Sequence, residues 1–138
     1  MRNGVARPLP AMVGDAIAWT IAIPIAMWLR EDLAVSTSRS LSLLGVVATV
    51  VLLQLLLGHA AGLYRGRQGY GSAEEVTTLV GVATIAALVV GAPLLIVAPS
   101  LGIPRTALVI AAPIALLLMA SVRYALRILL ESAHRPTP

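Results

Sequence analysis

Apolar residues run almost unbroken through four stretches of this chain, at positions 10–29, 41–63, 76–97 and 107–128, with short charged segments between them. Each run is close to the roughly 20 residues that carry an α-helix across a ~30 Å hydrocarbon layer. The pattern predicts an all-α, four-helix transmembrane bundle with helices over about 10–29, 41–64, 73–97 and 104–130. One membrane domain then occupies 1–138, and little chain remains for anything else.

Local signals refine the ends. Ser72-Ala73-Glu74-Glu75 reads as a capping box, with Ser72 accepting from the Glu75 amide and Glu75 reaching back to the Ser72 amide. Pro104 suits the first position of the fourth helix. Gly58 and Gly62 have the small-xxx-small spacing that lets membrane helices approach closely. Trp28 followed by Arg30 reads as an interfacial anchor. Pro24, Pro93 and Pro113 fall inside helices, where membrane proteins tolerate proline more than soluble ones do.

Composition supports the membrane assignment. The chain is 59% hydrophobic and 12% charged, against roughly 25% charged in soluble domains, and its mean hydropathy is +0.93. No cysteine is present, which excludes disulfides, thiolate catalysis and Cys-based metal sites. The net charge is +4, and all ten basic residues are arginine. They sit at segment ends, so the basic pI points to lipid headgroups and topology and not to nucleic acid. Arg2, Arg7, Arg65, Arg67, Arg123, Arg127 and Arg135 fall on one side, and Arg30, Arg39 and Arg105 on the other. The positive-inside rule puts both termini in the cytoplasm. The run after Arg7 is long for a signal peptide and has no small-residue cleavage site, so the first helix is retained.

Few side chains offer chemistry. Asp15, His59 and Arg123 are the polar residues costliest to insert, and they share one depth on the cytoplasmic side. They are expected to form a structural polar cluster, with the Asp15 carboxylate within salt-bridge reach of Arg123 and His59 close by. Gln54 reads as an interhelical hydrogen-bonding residue. Tyr64, Arg65, Arg67, Tyr70, Ser72 and Glu75 are expected to form a cytoplasmic interfacial loop, with its arginines toward anionic headgroups. No histidine–carboxylate spacing suggests a metal. No glycine-rich phosphate loop or nucleophile elbow is present. No catalytic residue and no cofactor is therefore expected in this chain.

Gly62-Leu63-Tyr64-Arg65, then Tyr70, Ser72 and Glu75, form one recognisable pattern. Pro104-Arg105-Thr106 opening the fourth helix, Arg123 and Arg127 closing it, Asp15 and Leu29-Arg30 complete it. Together they resemble the N-terminal membrane domain of bacterial nucleotide-sugar 4,6-dehydratases and epimerases of capsule, O-antigen and glycan biosynthesis. The chain departs from the family at Gln68-Gly69, where Trp-Arg is common, and at Ala111, where an acid is common. The resemblance implies a non-catalytic membrane anchor or homo-oligomerisation domain in the bacterial inner membrane. Its partners would be the lipid bilayer and a downstream soluble dehydrogenase-type domain that binds NAD(P) and acts on UDP-sugars. That catalytic half is absent here. Two alternatives remain open: a small four-helix transporter or lipid-linked-sugar flippase, and the membrane prelude of an initiating polyprenyl-phosphate sugar phosphotransferase.

Overall fold

The computed structural model describes residues 8–30, 37–65 and 71–133. Among them the chain forms four helices and no strand: α1 (Pro8–Arg30), α2 (Thr37–Ala60), α3 (Ala73–Leu101) and α4 (Ala107–Ala133). Each is long and apolar enough to cross a membrane. In lipid an unsatisfied backbone amide costs several kcal/mol, so a spanning segment must close its own hydrogen bonds, and a helix does so within one segment.

The helices form a ring in chain order. α1 packs on α2 and α4, and α3 packs on α2 and α4, while the diagonal helices stand further apart and α2 meets α4 through the side chains of Gln54 and Met119. The α1–α4 seam is the most extensive, so the first and last helices close the ring. Asp15 near the start of α1 meets Arg123 toward the end of α4, and Arg30 at the end of α1 meets Thr106 just before α4. These contacts make α1 and α4 antiparallel. α1 buries Ala18, Ala22 and Ala26, and α4 buries Ala107, Ala111 and Ala115, each set spaced by four residues. Small side chains at that spacing let two backbones come close. At Gly14 a Cβ would stand 2.7 Å from Val122 Cγ1, so any larger residue there forces Val122 or the helix to shift.

The surface is as apolar as the interior. Ile17, Ile21, Leu44, Leu52, Leu88 and Leu117 point outward, while Asp15, Gln54, Glu75 and Arg123 are buried. Apolar outside and polar inside is the arrangement a bilayer selects, because lipid tails are as apolar as leucine and offer polar groups no partners. All four prolines inside helices (Pro24, Pro93, Pro99 and Pro113) stand on exposed positions. The packed face of each helix is therefore free of the pyrrolidine ring.

Several boundaries differ from the sequence expectation, among them the start of α2, at Thr37 and not near 41, and the end of α4, at Ala133 and not near 130. α2 ends at Ala60, not near Tyr64. The Leu63 amide donates to Gly58 O at 2.9 Å and the Gly62 amide to His59 O at 3.1 Å, with Gly62 at φ +78°. This is a Schellman stop, which needs a left-handed residue just past the helix. Gly62 thus ends a helix and does not help two helices approach. α3 continues through Pro99 to Leu101 and stops at Gly102, whose φ is +65°. α4 begins at Ala107, not at Pro104. The Thr106 carbonyl accepts from the Ile110 amide at 3.2 Å, so Thr106 takes the N-cap position that its residue type favours. Pro104 belongs to the preceding turn, its carbonyl accepting from the Ala107 amide at 3.0 Å.

Candidate functional site

At the end of the bundle where α1 starts, α1, α3, α4 and the turn after α2 contribute to one buried polar cluster. Arg123 is its hub, and its fork of N–H donors suits carboxylates held side by side. The two terminal nitrogens bind both oxygens of Asp15: Nη1 to Oδ1, and Nη2 to Oδ2 at 3.0 Å. Nε donates to Glu75 Oε1 at 2.9 Å. The Tyr64 hydroxyl donates to Asp15 Oδ2 at 2.5 Å. Burial pushes the Tyr64 phenol well up from its ordinary value, and the neighbouring Asp15 carboxylate adds to the shift. The hydroxyl therefore keeps its proton and acts as a donor.

Each member is positioned by a local device. Asp15 faces inward on the Ala11–Ala18 stripe of α1, and Arg123 ends the α4 stripe Ala111–Ala115–Met119. Glu75 is held by the cap of α3. Its amide donates to Ser72 Oγ at 3.2 Å, and its Oε2 accepts from the Gly71 amide at 2.6 Å. The capping box is thus shifted by one residue at its second bond, from Ser72 to Gly71. Gly71 has φ +75°, a turn that aims its amide back at the carboxylate. A carboxylate in the first turn of a helix also meets the positive end of the dipole. Tyr64 arrives through the Schellman stop of α2 and lies over Gly58, where a Cβ would be 2.5 Å from Tyr64 Cε2. Gly58 is the notch that admits the ring.

One turn further into the bundle a second polar layer follows. Trp19 Nε1 donates to Gln54 Oε1 at 3.3 Å, and Gln54 Nε2 points at the Met119 sulfur at 4.0 Å. Gln54 thus links α1, α2 and α4. No buried side-chain nitrogen or oxygen among the described residues lacks a partner.

The structure brings Asp15 and Arg123 together as the sequence suggested. His59 is not with them: it is exposed on the last turn of α2. Residues 58 and 59 sit at one depth but about 100° apart around the helix, and Gly58 takes the inward position. The places expected for loop residues differ too. Tyr64 and Glu75 are buried members of the cluster, Ser72 caps the helix at Glu75, and Arg65 is exposed. Arg67 and Tyr70 lie outside the described residues. One turn beyond the cluster, Arg127 pairs with Glu131 at 2.8 Å on the exposed face of α4. No group of three His, Asp or Glu side chains among the described residues is arranged to hold a metal ion.

Chemically the arrangement is a closed one. Two carboxylates share one guanidinium, and a phenol and a helix cap take further lone pairs. No protein-family model, no curated protein and no solved structure matches this chain. The fold and the cluster define a multi-pass α-helical membrane protein with an ionic lock at one end of its bundle.

Proposed function

We propose that this chain is a non-catalytic membrane anchor that holds a nucleotide-sugar dehydratase or epimerase domain at the cytoplasmic face of the bacterial inner membrane. One observation carries the reading. Arg123 is bonded to both Asp15 and Glu75, and Tyr64 closes the remaining side of Asp15. A transporter of this size would use a membrane-embedded acid as a coupling group near the midplane. Here that acid is consumed in an ionic contact near one end of the bundle, which favours a structural role over proton or ion coupling. The resemblance in Gly62–Arg65, Ser72, Glu75 and Arg123 supplies the enzyme class, and the excess of arginine at the cluster end supplies the cytoplasmic orientation.

The test uses the chain reconstituted in liposomes, with single cysteines at Ser100 and Ser132 reporting orientation through an impermeant thiol reagent. Calorimetry with NAD and with UDP-N-acetylglucosamine is expected to give no saturable heat, since no phosphate-cradling glycine loop is present. A pH gradient is expected to drive no Asp15-dependent flux. Micromolar NAD binding, or flux abolished by Asp15→Asn in a folded protein, would overturn the anchor reading.

A further inference from the structure

A groove of about 320 Å³ opens on the lipid-facing side between α3 and α4. Thr84, Gly91 and Leu95 line it from α3, Leu108 and Ala112 from α4, and Arg105 from the turn before α4. Small residues make the depression: a Cβ at Gly91 would already stand 3.8 Å from Leu108 Cδ1. From Leu95 to Thr84 the groove follows about 16 Å of helix axis at ~1.5 Å per residue. Thr84 is at the middle of the apolar span Ala73–Val97. The groove therefore has the depth of one leaflet, half of a ~30 Å hydrocarbon layer.

Its outer end carries the one charge on the lining. Arg105 is exposed, and among the described residues it has neither an ion-pair nor a hydrogen-bond partner. It precedes the first turn of α4, at headgroup depth. A guanidinium offers a planar fork of donors that matches phosphate oxygens, and among the described residues no acid lines the groove to engage a cationic headgroup. A larger groove between α2 and α3, about 570 Å³, has no charged residue at all. Both have an apolar lining that suits an acyl chain, but among the described residues only the α3–α4 groove adds a charge that can select a headgroup.

We propose that the α3–α4 groove is a binding site for an anionic phospholipid, with the phosphate on Arg105 and one acyl chain laid along α3 from Leu95 to Thr84. The site does not depend on the anchor reading above. Native mass spectrometry of the detergent-purified chain tests it, by titration with phosphatidylglycerol and phosphatidylcholine of identical acyl chains. The first bound lipid is expected to favour phosphatidylglycerol roughly fivefold, the factor that one interfacial arginine supplies. Arg105→Gln is expected to bring the two lipids to parity, and Arg127→Gln at the opposite end to leave the preference intact. Gly91→Leu and Ala112→Leu, each with unchanged helix content by circular dichroism, are expected to lower the first adduct of both lipids. Equal binding of the two lipids to the unmodified chain would overturn the proposal. So would a preference that survives Arg105→Gln, or full binding in both groove-filled variants.

Discussion

Where α1 begins, α1, α3, α4 and the turn after α2 meet through a polar cluster; where α1 ends, α1 and α4 meet through alanine. The first end has Asp15, Tyr64, Glu75 and Arg123 in mutual contact. The second has the buried Ala22, Ala26, Ala107 and Ala111 and an exposed hydrogen bond from Arg30 to Thr106. The two ends have opposite sensitivities. A charge cluster is directional and tolerates little loss of a partner, because each remaining ion is stranded away from water. An alanine seam has no direction and no partner to lose, but it tolerates little added volume.

The largest effect is expected from Arg123→Gln, which leaves Asp15 and Glu75 facing each other without their common cation. Removing one partner of a buried pair costs ~3–5 kcal/mol in soluble proteins, and a loss of about 3 kcal/mol is expected here. Unfolding of the reconstituted protein in denaturing detergent measures it. The Asp15→Asn, Arg123→Gln double variant is expected to lose less than the sum of the two singles; strict additivity would break the pairing. Next comes the alanine end. Ala115→Leu adds volume at a fully buried seam position and is expected to cost ~1–3 kcal/mol. The smaller change Ala115→Ser, which adds one oxygen, is expected to cost less. If leucine is accommodated freely there, the contrast between the two ends fails. The smallest effect is Tyr64→Phe, which deletes one hydroxyl bond and keeps the ring over Gly58. Hydrogen bonds inside membrane proteins average ~0.6 kcal/mol with a maximum near 1.7, so a loss of about 1 kcal/mol is expected. A loss as large as that of Arg123→Gln would mean that the phenol, not the guanidinium, organises the cluster.

Depth was legible in the sequence, and direction around each helix was not. The four spans follow from hydropathy alone, and the Asp15–Arg123 pair follows from two insertion costs at one depth. His59 shares that depth yet faces outward, since one residue along a helix turns the side chain by about 100°. In a soluble helix an amphipathic stripe reveals the inward face. Here outward positions such as Ile17 and Leu117 are as apolar as the buried Ile23 and Leu108, so the stripe is silent. Glu75 was readable as a cap, but one oxygen serves the cap and the other reaches Arg123. Its neighbours Leu79, Val82, Ala83 and Ala86 mark the same buried face, a sign available only once that face is known. Tyr64 was hidden more deeply. Its burial depends on a Schellman stop and on the notch at Gly58, two glycines whose spacing equally suggests close helix approach.

The bond between Arg123 and Asp15 joins positions 108 residues apart, and this separation orders events in time. Ribosomes add ~5–20 residues per second, so Arg123 is made roughly 5–20 s after Asp15. Over that interval α1 stands in or beside the bilayer with a carboxylate whose cation has not yet been synthesised. Glu75 emerges before the arginine as well, so both acids precede the base they share. α4 therefore completes α1, and a nascent chain interrupted before residue 123 holds two acids and no lock.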